Sequence, residues 1–239
     1  MFTALGALAP TRSAMMVPRE DSMTATLTIN SHNYGSWSLR SWLLCKLAGL
    51  EFQEAVAASD DPSNRAELLL LSPSFLVPCL EHDGVRVWDT MAIAEHLQEC
   101  FPDAGMLPSD ATARAHCRSI CGEMHSGFHG LRSALPMNCK RRFKDFKVWA
   151  GAQPDIERVF TIWASCLDAY GGPWLFGAAP TVADAMFAPV VCRFVTYAVP
   201  CDDLSAKYVE TVLGWPPMVE WLAAAETEVD EVAELECEF

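Results

Sequence analysis

Basic residues are scarce in this chain: 17 Lys and Arg stand against 31 Asp and Glu among 239 residues, for a formal net charge of −14. A nucleic acid or an anionic membrane surface needs a basic face on its partner, so we expect neither. Long apolar runs are missing too, although 51% of the residues are hydrophobic. Lys46 interrupts the stretch that begins at Trp42, and Arg193 the one that begins at Ala183, so neither reaches the roughly 20 residues of a membrane span. The short apolar piece 5–8 has no charged residue ahead of it, which argues against a secretory signal. We expect residues 1–24 to be a disordered leader; an organelle transit peptide is the alternative, because no acidic residue precedes Glu20. What is present is enough apolar material to fill sizeable cores in one or two domains.

Cysteine is not lacking, but ten in a chain of this length do not make the dense disulfide framework of small secreted domains. Cys45, Cys100, Cys166 and Cys192 lie inside apolar helical patterns and read as small buried hydrophobes. A reducing compartment follows, and we expect a cytoplasmic protein.

The first part alternates strand-like and helical segments. Residues 26–29 alternate polar and apolar, 37–50 show helical periodicity with a stop at Gly49, 52–56 make a second strand, and 64–71 a short helix. Strands at 78–81 and 85–88 flank His82-Asp83-Gly84, where Asp-Gly is a hairpin signal, and 90–100 is helical. The order β-α-β-α-β-β-α predicts a mixed sheet with helices on its faces. Residues 102–110, with Pro and Gly, read as a linker between a first domain at 25–101 and an all-helical domain at 111–226. In the helical domain we expect one long helix at 111–135 and further helices at 155–170, 181–195 and 221–225. Residues 227–239 form an acidic tail, expected to be solvated; the stretch 226–239 carries seven acidic residues.

Four local features carry chemistry. Pro78 opens a strand, where it cannot donate a ladder hydrogen bond. A cis Val77–Pro78 bond would turn the chain and leave the Val77 backbone groups free to pair with a peptide-like ligand; an ordinary trans Pro at a strand start is the alternative. Asp89 and Thr90 stand where a strand runs into a helix, whose N-terminus favours an anion; simple capping needs no ligand. Thr181 and Asp184 form a capping box with Asp in the usual Glu place, a structural feature. Finally, Tyr34, Ser36 and Ser38 lie just before and within the first turn of the first helix. Hydroxyls there can donate to a thiolate whose pKa the helix N-terminus also lowers; Ser36 as a plain helix cap is compatible with that role.

In this order the segments resemble the cytosolic glutathione transferase superfamily, over about residues 25–226. The likeness is carried by Trp37-Ser38-Leu39-Arg40, Val77-Pro78, Trp88-Asp89-Thr90-Met91-Ala92-Ile93-Ala94-Glu95, Glu123-Met124-His125-Ser126-Gly127-Phe128 and Ala183-Asp184-Ala185-Met186-Phe187-Ala188-Pro189-Val190. It is nearest to a bacterial-type branch with a Tyr-Ser-Ser-Trp-Ser-Leu-Arg active loop. The resemblance implies a thioredoxin-like α/β domain followed by an all-α domain, glutathione as co-substrate, and a homodimer. It implies that Leu76, Val77 and Pro78 meet the cysteinyl backbone of glutathione, and that Asp89 and Thr90 hold its γ-glutamyl end. By family position, His125, Phe128 and Arg132 line the pocket for an electrophile.

One departure matters. Fourteen residues before Gly49, where the family places its catalytic Ser, this chain has Gly35. The adjacent Ser36 is the best substitute donor and Tyr34 the runner-up, while a register slip of one residue would restore a Ser. Ser38 stands where redox relatives have a second Cys, so a disulfide mechanism is not expected. Cys117, Cys121, His125 and His129 recur every four residues, but four ligands on one straight helix cannot surround a metal, and we expect a packed or cleft-lining stripe and no metal site. The expected activity is conjugation of the glutathione thiolate to a small hydrophobic electrophile. The alternatives are a non-catalytic glutathione-binding protein of the same fold and a glutathione-dependent isomerase of the maleylacetoacetate type.

Overall fold

A computed structural model describes residues 25–57 and 77–229. Strand β1 (Ala25–Ile29) buries Ala25, Leu27 and Ile29 on one face, as its alternation predicts. It runs parallel to β2 (Phe52–Val56) and antiparallel to β3 (Cys79–His82), which pairs in turn with β4 (Val85–Trp88), giving the order β2-β1-β3-β4. Asp83 and Gly84 both take positive φ, 52° and 77°, as a two-residue hairpin loop of the twist-matching kind requires. Helix α1 (Ser36–Ala48) stops at Gly49, whose left-handed conformation lets Leu50 N–H reach Cys45 O. Helix α2 (Thr90–Cys100) follows β4, and both α1 and α2 bury one side against each other beside the sheet.

The second half is helical: α3 (Ala111–Ser126), α4 (His129–Ala134), α5 (Gln153–Tyr170), α6 (Val182–Thr196), α7 (Asp203–Leu213) and α8 (Pro216–Thr227). Helix α6 is the hub. It is buried almost all round, packs on both α1 and α3, and begins with the expected capping box. Asp184 there is wholly buried: Thr181 N–H (2.7 Å), Thr181 Oγ1 (3.1 Å), Leu175 N–H (3.1 Å) and Tyr208 Oη (3.1 Å) all donate to its carboxylate. Burial nevertheless pushes its pKa up to about 6. The thioredoxin-like α/β unit and the helical unit are therefore both present.

Three expectations need correction. The long helix read at 111–135 is two helices, because the chain turns at Gly127 and at Phe128, whose φ is 61°. A Cβ at position 127 would come within 2.9 Å of Glu123 O, so only glycine fits the turn. His129 consequently leaves the helix that carries Cys117, Cys121 and His125. Helix α7, capped by Asp202 through Ser205 N–H at 2.7 Å, is not anticipated from the sequence. The tail is not wholly solvated: the Glu228 side chain is 17% exposed and tied to the start of the chain, as described below. The helix read at 64–71, Leu76, the leader and residues 230–239 lie outside the described residues. No helix among those described is long and apolar enough to cross a membrane, and every described cysteine is a free thiol.

Candidate active site

Strand register brings the distant signals to one end of the sheet. Cys79 pairs with Trp88 and also with Thr28, so Pro78 lies across from Asp89 on one side and from Ile29 on the other. The Val77–Pro78 bond is cis and not the ordinary trans form of a Pro at a strand start. Asp89 caps α2: its Oδ1 accepts from Met91 N–H (2.8 Å) and Ala92 N–H (3.3 Å). Its φ of 76° is a conformation that non-glycine residues adopt at a cost of about 1–3 kcal/mol, typically where a site needs it. Thr90 is buried, and Ser41 Oγ of α1 donates to its Oγ1 at 3.5 Å.

The loop ahead of α1 is the other half. Gly35 is the N-cap and no side chain caps this helix. An added Cβ at Gly35 would stand 2.2 Å from Ser31 O and 2.3 Å from Asn30 Oδ1, which rules out any larger residue in this loop conformation. Gly35 N–H donates to Ser31 O (3.2 Å) and Ser36 N–H to Tyr34 O (2.9 Å), so the chain folds back on itself before the helix starts. Ser36 is the first residue of α1 and Ser38 lies in its first turn. The Ser38 hydroxyl is committed elsewhere, donating to Asn30 Oδ1 at 2.6 Å and accepting from Asn30 N–H at 3.2 Å.

The loop is also clamped from the far end of the chain. The Glu228 carboxylate accepts from Ser31 Oγ (2.5 Å), His32 N–H (2.6 Å) and Asn33 N–H (3.2 Å), and Ser31 Oγ itself accepts from Tyr34 N–H at 2.9 Å. Lys140 secures the clamp, its Nζ donating to Glu228 O at 3.0 Å and its N–H to Asn33 Oδ1 at 3.1 Å.

The helical unit contributes the opposite wall. His125 Nε2 lies 3.2 Å from Asp89 Oδ2, and the His125 ring meets Trp37 edge-on at 5.2 Å. Arg132 and Arg40 place their guanidinium groups over the same indole, at 4.8 and 4.6 Å from its centroid. Arg132 Nε donates to Gly127 O at 3.0 Å and its Nη2 to Met124 O, which fixes the side chain across the turn between α3 and α4. Arg40 is fully buried and its Nε donates to Met186 O at 2.8 Å. Burial lowers its pKa well below the ordinary guanidinium value, and the nearby Arg132 and Arg193 add to the effect. Burial, reinforced by Arg132, likewise brings Arg193 down to about 10. Among the described residues Arg40 Nη2, Arg193 Nε and Arg193 Nη1 find no hydrogen-bond partner.

Of the residues expected from sequence, the structure brings together Val77, Pro78, Asp89 and Thr90 at the sheet end. Tyr34 and Ser36 stand at the α1 start, and His125 and Arg132 around Trp37. Phe128 is only 6% exposed and sits in the core, as do Cys117 and Cys121. Glu228 and Lys140, which shape the loop, were not anticipated, and no local pattern marks them. Trp37 and Arg40 stood inside the motif but carried no assigned role.

Comparison with known proteins gives these positions a context. Residues 34–100 match the model of the glutathione S-transferase N-terminal domain and residues 146–224 that of the C-terminal domain. A probable maleylacetoacetate isomerase of Caenorhabditis elegans is 26% identical over 65% of this chain and 72% of its own length. Glutathione S-transferase 1 of Dianthus caryophyllus is 25% identical over 73% of this chain and 80% of its own. Among solved structures, a glutathione transferase homologue from Burkholderia with bound glutathione superposes with a TM-score of 0.63 at 24% identity, covering 85% of this chain and 98% of that one. The fold is shared along nearly the whole of that protein.

Proposed function

The chain belongs to the glutathione S-transferase family, and from that premise we propose that it binds glutathione at the end of the sheet and uses the bound thiolate on a small electrophile. The observation that carries this reading is the convergence of three elements: the cis Val77–Pro78 mouth of β3, the Asp89–Thr90 start of α2, and the uncapped start of α1. Val77 offers backbone groups to the cysteinyl unit. Thr90 and the α2 N-terminus receive the γ-glutamyl carboxylate, and Asp89 its amine. The relatives bound to glutathione support that assignment of the ligand.

Glutathione brings its own nucleophile, so the protein has only to lower the thiol pKa and hold the sulfur. Ser36 at the first helical position donates to the thiolate, with Tyr34 as the second candidate, and the α1 N-terminus adds its positive potential. The electrophile approaches from the side of His125 and Arg132. We assign the chain to the branch with a Tyr-Ser-Ser-Trp-Ser-Leu-Arg loop on the strength of Trp37 through Arg40. Its domains are the units 25–101 and 111–226, its working unit is a homodimer, and its setting a reducing cytoplasm.

A second reading, isomerisation, is favoured by one observation: the Arg132 guanidinium lies over the Trp37 ring beside the start of α1, which suits an anionic substrate better than a purely hydrophobic one. Several relatives carry the name maleylacetoacetate isomerase, a reaction that leaves no glutathione adduct. Incubating the protein with glutathione and either chlorodinitrobenzene or a cis-unsaturated diacid, and weighing the products, separates the two. A mass increased by glutathione marks transfer, and an unchanged mass with altered geometry marks isomerisation. In either case Ser36→Ala lowers kcat/KM by about 10–100-fold, equal to about 1.4–2.7 kcal/mol. Unchanged kcat/KM removes Ser36 from the mechanism, and retention on glutathione resin without turnover of any substrate leaves a binding protein.

A further inference from the structure

Away from this site, at the opposite end of β3, three metal-ligating side chains meet. His82 closes β3, and His96 and Cys100 stand one turn apart on the last part of α2, so the i, i+4 spacing points them the same way. One ligand atom from each of the three lies within 4.8 Å of the others. His82 Nδ1 is 3.2 Å from His96 Nε2, and Cys100 Sγ is 3.7 Å from that same nitrogen. Metal–nitrogen and metal–sulfur bonds of about 2.0 and 2.3 Å at tetrahedral angles set N···N and N···S edges of about 3.3 and 3.6 Å, so two edges of a zinc polyhedron are already drawn.

The surroundings fit the same purpose. His82 is 3% exposed and its ring stacks on Phe101 at 5.8 Å. With Nδ1 turned to the cluster, its Nε2 faces Asp83 Oδ2 at 3.7 Å and has no hydrogen-bond partner among the described residues. That is the arrangement of a carboxylate orienting a metal-bound imidazole through its far nitrogen, lacking only a small closure. Asp83 and Glu99 place negative charge beside Cys100, which favours a cation there. Cys100 is exposed, so an ion has a path in and a fourth position is open to water.

We propose that His82, His96 and Cys100 form a binding site for a zinc-type divalent cation, with Asp83 as outer-sphere partner, separate from the glutathione site. The ion pins the end of α2 to the β3–β4 hairpin. It has no part in the transferase chemistry.

The test uses the full chain, stripped with chelator, and titrated with Zn²⁺ by calorimetry and with Co²⁺ by absorption. Expected are one tight ion per chain, a Co²⁺ spectrum with thiolate charge-transfer intensity and tetrahedral bands, and a melting temperature that rises with Zn²⁺. His96→Gln and Cys100→Ser each weaken binding by about 100-fold, since even outer-sphere partners are worth about 10- to 100-fold. Each also abolishes the Zn²⁺-dependent rise in melting temperature while leaving the melting of the stripped protein and retention on glutathione resin as in the wild type. Cys201→Ser, a cysteine outside the cluster, binds as the wild type does. Equal affinity in the three variants, a Co²⁺ spectrum without thiolate intensity, or no binding above micromolar affinity overturns the proposal.

Discussion

Two helix starts in this molecule are built to opposite plans. At α6 the chain spends its own side chains on the free N–H groups: Thr181 and Asp184 form a reciprocal box, and Leu175 and Tyr208 add two more donors to the same carboxylate. At α1 there is no side-chain cap, the N-cap is a glycine, and the preceding loop is held from outside by Glu228. The first start is closed and lies under the centre of the helical unit. The second keeps its dipole end available and has its shape enforced by distant residues. A helix N-terminus attracts negative charge in both cases; at α6 the fold has already supplied that charge, and at α1 it has not.

The contrast can be broken most forcefully at α6. Asp184→Ala leaves buried donors on Thr181, Leu175 and Tyr208 without an acceptor and is expected to cost about 3–5 kcal/mol, read as a lower urea midpoint. A loss below 1 kcal/mol would mean that the box is not what closes this helix.

Next in size is a pH effect from the same residue. Its pKa is about 6 when folded against an ordinary carboxylate value of 3.8, so between these the folded chain holds a proton that the unfolded chain has released. The contribution is present in full below about pH 4 and is lost as pH rises toward 6, by about 3 kcal/mol. Asp184→Asn cannot titrate, so the stability difference between wild type and this variant should shift against the wild type between pH 4 and 6 and stay level from 7 to 8. A difference that does not move over the lower range refutes the assignment.

At α1 the expected losses are smaller. Gly35→Ser, which adds a hydroxyl next to Ser36, should cost about 1–3 kcal/mol through its clash with Ser31 O and Asn30 Oδ1, and lower activity with it. A gain in activity would show that the loop adapts and that position 35 is the true donor site. Smallest is Glu228→Ala, about 1–2 kcal/mol of stability from the loss of its bonds to the loop, with a raised KM for glutathione. Unchanged KM would uncouple the clamp from the ligand.

The same contrast explains what was readable in advance. The α6 box is written within four residues, and the Asp-Gly hairpin and the Gly49 stop within two or three, so local chemistry reports them faithfully. The four strands were legible because each carried its own pattern, whereas their order across the sheet was not. Pro78 and Asp89 were recognisable singly, and only register put them side by side. By contrast, Glu228 lies 197 residues from Ser31 and carries no signature apart from its charge, which the composition of the tail disguised as solvated. The break after Ser126 was hidden because Gly127 and Phe128 continue an apolar pattern without proline. His82 was read only as the shoulder of a turn, since its partners His96 and Cys100 belong to another element.

The Glu228 clamp also sets an order of events during synthesis. The loop that opens α1 is translated early, yet the carboxylate that holds it arrives 197 residues later. At about 5–20 residues per second, that is an interval of about 10–40 s. A nascent chain can pair β1 with β2 and wind α1 in that time. The loop ahead of α1 stays without its three hydrogen bonds to Glu228 until that residue has been made. A chain cut short at residue 227 would keep its described helices while lacking the carboxylate that holds the loop ahead of α1.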